Sequence, residues 1–373
     1  MRYYLIAGEA SGDLHASNLM KALGEKDPDA TFRCWGGDLM EKAGGELVRH
    51  YRDLAYMGFL EVISHLGKIL GNLRACKKDL LQYRPDVLIL VDYPGFNLRV
   101  AKFASSKGIR VYYYISPQLW AWKSSRVHTI RRSVQHMFVI LPFEKEFYAG
   151  YGLNVDFVGH PLLDVINDRL PVSDMDHFIR SNNLDSRPVI ALLPGSRKME
   201  ISKVLRVMLS VVPEFPGCQF VIAAAPSVPE EIYRDIVKVL PVKVVFNQTY
   251  ELLRRSAAAL VTSGTATLET ALLKVPQIVC YKGNSISFAI ARRIVHVKFI
   301  SLVNLIYGKL LVKELIQDEL TAKNLATELE KLLNDKDYTR EILEGYTGIV
   351  ESLGGKGASC RCADLMMQYL KEK

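Results

Sequence analysis

Arg197, Glu269 and the turn Ser263-Gly264-Thr265 are the residues whose types and spacing best suggest chemistry. Ala257 to Val261 reads as a short buried strand, Ser263-Gly264-Thr265 as a tight turn, and Thr267 to Leu273 as a helix with apolar residues at helical spacing. Strand, small-residue turn and helix start together make a backbone anion site. Free N–H groups point out of the helix end, where the dipole favours a phosphate. Ala266 and Thr267 complete that first turn. Glu269 lies just inside the helix, where its carboxylate can accept bonds from two sugar hydroxyls. Gly195-Ser196-Arg197 falls between another strand and helix, so it is expected to flank the same ligand, with Arg197 as a bidentate phosphate clamp. Taken alone, the 263–267 turn is equally the helix cap of any α/β protein. The functional reading rests on its company.

Two carboxylates supply that company. Arg2 to Gly8 reads as a first strand that breaks into Glu9-Ala-Ser-Gly-Asp13 and then a helix through Leu23. Asp13 reads as a helix cap, whereas Glu9 sits where the strand ends and is expected to face a ligand as readily as solvent. Val87 to Val91 is a buried strand ending in Asp92, and an acid at such a carboxyl end points into the crevice where open α/β sheets bind ligands. Val111 to Ile115 is a further strand. It leads into Ser116-Pro-Gln-Leu-Trp-Ala-Trp122, a loop on the same edge that holds two of the three tryptophans. The first turn is neither G-x-G-x-x-G nor a P-loop, which argues against a dinucleotide or ATP.

The elements that must position these residues alternate aliphatic strands with helices from end to end, which implies α/β with parallel sheets. A chain of 373 residues suits two domains. The boundaries are expected at 1–165 for a first Rossmann-like domain and 166–337 for a second, with helices in 338–373 crossing back to the first. The polar, broken stretch 162–187 reads as the linker. Strands of the second sheet are expected at 188–194, 219–223, 243–246, 257–261 and 277–281. Two Rossmann-like domains facing across a cleft, with a nucleotide on the second, is the GT-B glycosyltransferase architecture.

A net charge of +8 and a pI near 9.0 suit an anionic partner. The basic residues are scattered and no nucleic-acid motif appears, so no nucleic acid is expected. The six cysteines show no metal-ligand grouping. The start Met1-Arg2 does not open a signal peptide, which points to a reducing, cytoplasmic setting, and no apolar run approaches a membrane span. Between Tyr56 and Leu70 there are too many large apolar residues for one helix face, followed by Lys68, Arg74, Lys77 and Lys78. Met57, Phe59, Leu60, Ile63 and Leu66 therefore read either as a one-sided buried helix with its connecting loop, or as an acyl- and membrane-contacting patch on an anionic leaflet.

The motifs Gly8-Glu-Ala-Ser-Gly-Asp13, Asp92-Tyr-Pro-Gly-Phe-Asn97, Ser116 to Trp122, Pro142-Phe-Glu144, Gly159-His-Pro161, Leu193-Pro-Gly-Ser-Arg197, Thr262-Ser-Gly-Thr-Ala266 and Asn304 with Val312-Lys-Glu-Leu315 occur in that order. The series closely resembles the lipid-A-disaccharide synthase family, over nearly the whole chain. The resemblance implies inverting transfer of 2,3-diacylglucosamine from UDP-2,3-diacylglucosamine to 2,3-diacylglucosamine 1-phosphate, giving a β(1→6) disaccharide and UDP. It carries Glu9, Asp92, Arg197, Glu269 and Asn304 over as active-site positions. It also suggests a homodimer at the cytoplasmic leaflet of the inner membrane. Gly95 breaks the pattern, because relatives often carry a second acid there, and this leaves Asp92 as the expected base. Glu9 is the fallback and His160 the third choice.

No cofactor or metal is expected. The Asp-x-Asp matches at 27–29, 174–176 and 335–337 lie off the strand ends and read as caps, and a helix N-terminus with Arg197 suffices for a departing phosphate. Two rival readings stand beside this one. The first is another GT-B enzyme acting on a UDP-N-acetylglucosamine-type substrate, which the tryptophan loop and the 56–70 patch disfavour. The second is a non-catalytic peripheral lipid-binding protein, which would not need Asp92, Arg197 and Glu269 together.

Overall fold

The structure is a computed structural model that describes residues 1–53, 66–122, 124–168, 175–226, 228–238, 240–284, 288 and 297–372. The chain forms two compact units, one comprising Met1–Pro161 with Leu353–Lys373 and the other Leu162–Ser352.

The first unit is built on a parallel sheet of seven strands in the order β3-β2-β1-β4-β5-β6-β7. These are β1 Arg2–Ala7, β2 Thr31–Gly36, β3 Gly45–His50, β4 Val87–Val91, β5 Arg110–Tyr114, β6 His136–Val139 and β7 Asp156–Phe157. A sheet covered on both faces must be apolar on both, and β4 (VLILV) is buried along its whole length. Alternate residues serve opposite layers. Tyr4, Ile6, Leu88, Leu90 and Tyr113 join one core, while Tyr3, Leu5, Val87, Ile89 and Tyr112 join the other. The closing helix Ala358–Lys371 completes that second core through Cys362, Ala363, Met366 and Leu370. It packs along the helix Ala10–Lys26, and Lys26 pairs with Asp364 at 2.5 Å.

Arg361 ties the closing segment down: its Nε donates to the Val158 carbonyl at 2.9 Å and its guanidinium also reaches the carbonyls of Gly355 and Lys356. The helix Leu66–Tyr83 is fixed from beneath by Asp79, which accepts from the Tyr4 hydroxyl at 2.6 Å and from Arg33 at 2.7 Å.

The second unit has a parallel six-stranded sheet in the order β10-β9-β8-β11-β12-β13. Its strands are β8 Val189–Leu193, β9 Gln219–Ala224, β10 Val242–Phe246, β11 Ser256–Thr262, β12 Gln277–Tyr281 and β13 Glu314–Ile316. Both sheets reverse strand order beside their first strand, between β1 and β4 and between β8 and β11. That switch point is where doubly wound sheets open a crevice for ligand.

Three strands were not anticipated from sequence. β2 (TFRCWG) and β3 (GELVRH) carry charges and glycines near the edge of the sheet, and β13 is only three residues long. The stretch 162–187 is not a plain linker, since it carries the helices Leu162–Asp168 and Met175–Ser181. The second unit extends through the helix Lys336–Ser352 before the chain returns to the first at Leu353.

Candidate active site

In the first unit, Ala7 of β1 pairs with Val91 of β4, so the two strands deliver Glu9 and Asp92 to the same sheet edge. Glu9 lies two residues past the end of β1, immediately before the helix Ala10–Lys26, and is exposed. Its backbone is extended and its side chain makes no capping bond to that helix. Asp92 is half-buried. Burial, and after it the charge of Glu9, pushes the Asp92 carboxyl up to about 6. A carboxylate so placed holds a proton until near neutrality and accepts one more readily than an ordinary aspartate.

Tyr93 follows Asp92 and reaches back to β1. A Cβ on Gly8 would meet the Tyr93 ring at 2.2 Å, so glycine at position 8 is what lets the ring cover the end of β1. Gly95 is exposed, with open space around it.

Asp13 does not cap its own helix. It is buried and accepts from the N–H groups of Gly37, Leu39 and Met40 at 2.8, 3.1 and 3.1 Å, capping the short helix Asp38–Lys42 instead. His160 is also buried, and burial together with nearby His15 pushes its imidazole down to about 3. So weak a base is a poor match for proton abstraction near neutrality.

The tryptophan loop follows β5 on the same edge. Leu119 is buried, Trp120 stacks edge-on against Phe143 at 5.1 Å, and Trp122 is exposed beneath Arg126. Glu144 anchors the region from inside. It is buried, accepts from the N–H groups of Ile140 and Leu141, and burial pushes it up to about 7. Ser116 completes the support through a 2.6 Å bond with Tyr148.

In the second unit the paired strands β8 and β11 bring the turn at Gly195-Ser196-Arg197 beside the turn at Thr262-Ser263-Gly264. The space at the Gly195 Cβ position is bounded by Thr262 at 3.4 Å, and the backbone there has φ +99°. Arg197 precedes the helix Lys198–Ser210 and is well exposed, resting on Glu200 at 3.3 Å. Ser196 is exposed, as are Gly264 and Thr265, while Ser263 and Ala266 are half-buried. Ser263 is held by its hydroxyl on the Ile300 carbonyl at 2.8 Å. Glu269 is half-buried in the helix Thr265–Leu272.

Two expected ligand contacts are turned inward. Thr267 is fully buried, and its N–H and hydroxyl both donate to the Gly264 carbonyl, so it shapes the turn. Asn304 is fully buried as well. Its Nδ2 donates to the Val312 carbonyl and to Glu314, each at 2.9 Å, while its Oδ1 accepts from the N–H groups of Leu311 and Val312. The amide has no capacity left for a ligand. Glu314, whose place in the motif gives no sign of this role, is the hub: it also accepts from Ile300 N–H, Ser301 N–H and the Ser301 hydroxyl. Because the Ile300 carbonyl also receives Ser263, this hub supports the turn at Thr262-Ser263-Gly264 from behind.

Of the expected membrane residues, Met57, Phe59, Leu60 and Ile63 lie outside the described residues, and Leu66 begins the helix Leu66–Tyr83. Of the Asp-x-Asp matches, Asp27 accepts from the amino terminus and Tyr3, and Asp335 caps the helix Lys336–Ser352 through Tyr338 N–H. Asp174 lies outside the described residues.

A family model described as lipid-A-disaccharide synthetase matches residues 3–363. The chain is 39% identical to the lipid-A-disaccharide synthase of Trichlorobacter lovleyi, over 100% of this chain and 98% of that one. It is 40% identical to that of Syntrophus aciditrophicus, over 99% and 97%. The chain belongs to the lipid-A-disaccharide synthase family. It is therefore an enzyme, a glycosyltransferase of lipid A disaccharide synthesis. Among solved structures, a UDP-GlcNAc 2-epimerase from Neisseria meningitidis bound to UDP-GlcNAc is similar with a TM-score of 0.69 at 14% identity, covering 100% of both chains. A calicheamicin glycosyltransferase is similar with a TM-score of 0.61 at 17% identity, covering 100% of this chain and 99% of that one. At such identities the likeness speaks for the fold, the two Rossmann-like units of the GT-B class.

Proposed function

We propose that this lipid-A-disaccharide synthase transfers 2,3-diacylglucosamine from UDP-2,3-diacylglucosamine to the 6-hydroxyl of 2,3-diacylglucosamine 1-phosphate, with inversion and without a metal. The observation that carries the reading is the pair of acids on one strand edge, Asp92 pushed up to about 6 beside Glu9. Asp92 accepts the acceptor's hydroxyl proton as the new C–O bond forms, and Glu9 orients the acceptor. The donor half belongs to the second unit. As the bond to UDP breaks, negative charge grows on the β-phosphate. Arg197, the backbone at Gly195 and Ser196, and the helix start at Ser263 to Ala266 are the groups of the right type to receive it. Glu269 holds the ribose. Asn304 and Thr267 act from behind, by fixing the turn.

We further propose that the enzyme works as a cytoplasmic protein on the inner leaflet of the inner membrane, and as a homodimer. Among the described residues no helix is long and apolar enough to cross a membrane. The helix Leu66–Tyr83 exposes Leu70 and Leu81 with Arg74 and Lys78 between them. Apolar and basic side chains exposed on one helix suit an anionic lipid surface.

A UDP-release assay tests the reading. Release should require both diacylated sugars together; release with UDP-N-acetylglucosamine in place of the acylated donor would move the enzyme to another substrate class.

A further inference from the structure

Asp92 sits in a backbone conformation that needs support from its surroundings. Its φ is +44°, that of Tyr93 is +48°, and Ile115 at the end of neighbouring β5 stands at +62°. Aspartate is tolerated in the left-handed region, but a tyrosine and a β-branched isoleucine are held there only by what surrounds them. The sheet ladder runs up to Asp92, whose N–H donates to the Tyr114 carbonyl at 3.2 Å. The helix Pro94–Ser106 then begins on the Tyr93 carbonyl, which accepts from Phe96 and Asn97 at 3.3 and 3.0 Å. Between ladder and helix lies the Asp92 carbonyl, and two side chains reach it. Asn97 Nδ2 donates at 2.7 Å and the Tyr113 hydroxyl at 2.5 Å. The same Nδ2 also donates to the Val91 carbonyl at 3.2 Å. Both residues are fully buried, so neither is a surface group that happens to touch the turn.

We propose that Tyr113 and Asn97 are positioning residues for the transfer reaction: by gripping the Asp92 carbonyl they lock the left-handed turn that presents the Asp92 carboxyl beside Glu9. The inference rests on the reading of Asp92 as the base. Remove one donor and the peptide after Asp92 can rotate toward an ordinary conformation, carrying the carboxyl away from the acceptor and toward water. The charged and titratable groups facing this turn are Glu9 from the segment after β1, Tyr113 from β5, and Tyr148 and Arg126, whose fields reach Tyr113. Tyr113 stays a donor throughout the working range, because burial pushes its hydroxyl well above its usual value.

Tyr113→Phe removes one hydroxyl and leaves the ring. UDP release by the full chain, followed between about pH 5 and pH 9, should fall about tenfold to a hundredfold in kcat. KM for the UDP-sugar should stay within about twofold. The acid limb should move to lower pH, because Asp92 loses both its burial and its proximity to Glu9. Asn97→Ser, which shortens the second donor, should shift rate and limb the same way and covers the case in which Tyr113→Phe does not fold.

The deciding measurement is the double variant. If Tyr113 works through Asp92, Tyr113→Phe costs nothing further in an Asp92→Asn background. An equal loss in both backgrounds overturns the proposal, as does a wild-type rate and limb in both Tyr113→Phe and Asn97→Ser. An Asp92→Asn enzyme as fast as wild type removes the base reading and this inference with it. A slow Asp92→Asn beside unaffected Tyr113→Phe and Asn97→Ser variants removes this inference alone.

Discussion

Glu9 and Asp92 stand just beyond neighbouring strand ends, and burial of Asp92, with the charge of Glu9 after it, holds the Asp92 carboxyl protonated up to about pH 6. The base form of Asp92 is the deprotonated one, so turnover should rise with pH through that value. Asp92→Asn should abolish this limb and lower kcat by about 10² to 10⁴, with UDP binding kept. Glu9→Gln removes a like charge, so the limb should move to lower pH. If Asp92→Asn keeps more than about a tenth of wild-type turnover while Glu9→Gln does not, the two roles are exchanged.

Arg197 is exposed and leans on Glu200 from the surface, so its guanidinium is available to a phosphate. Arg197→Ala should lower turnover by orders of magnitude with a smaller loss of donor affinity, as expected for a contact that tightens while UDP departs. Glu269→Gln should weaken donor binding by about 1–3 kcal/mol. Calorimetry with UDP separates the two effects, and unchanged UDP affinity in both variants would move the nucleotide elsewhere. EDTA should have no effect on rate.

Asn304 is expected to matter through stability. Asn304→Ala leaves Glu314 and two N–H groups buried short of partners, at a cost of about 3 kcal/mol or more. Thermal unfolding should show this loss, and donor affinity should fall with it because the Ser263 turn loses its backing. A variant with wild-type melting and lost activity would restore Asn304 as a direct contact.

Buried titratable groups give the first unit opposing pH responses. Burial lowers His15 to about 4 and His160 to about 3. Both bind fewer protons folded than unfolded below their usual 6.5, so stability is lost as pH falls from there. Glu144 runs the other way. It is raised from 4.5 to about 7, so its contribution is full below the first value and is lost as pH rises through the second. Glu144→Gln should therefore be more favourable relative to wild type at about pH 8 than at about pH 5, by at most about 3 kcal/mol. Melting curves of both proteins at the two pH values check the sign.

Leu70 and Leu81 are 42% and 44% exposed, so replacing both with serine should barely change melting. Binding to vesicles containing anionic phospholipid should weaken by about 1–2 kcal/mol per side chain inserted. High salt should weaken it further, since Arg74 and Lys78 act over about a Debye length. Unchanged vesicle binding would place the membrane face elsewhere.

The buried strands were legible because a parallel sheet covered on both faces needs unbroken aliphatic runs. β4 and β8 fall within a residue of their expected limits. β2 and β3 were not, because nearer the edge Arg33, Glu46 and Arg49 can remain partly solvated. Residue type and order pointed to Glu9, Asp92 and Arg197, but could not say which motif residues face inward. Asn304 and Thr267 have side chains equally suited to ligand and to backbone, and only burial decides between them. By sequence Asp13 suits the cap of its own helix, because the helix it does cap lies more than twenty positions further on. The grip of Tyr113 and Asn97 on Asp92 left no sequence signal, since nothing local marks a non-glycine residue for positive φ.

The first unit takes the core residues Cys362, Ala363 and Met366 from the far end of the chain, while the second is one continuous run. Order of synthesis and order of completion therefore differ. As the chain leaves the ribosome, the second unit has all its residues before the first unit, begun earlier, receives its closing helix. Until then the apolar face of the helix Ala10–Lys26 waits uncovered, which makes the nascent chain most exposed to aggregation while Leu162–Ser352 is being made.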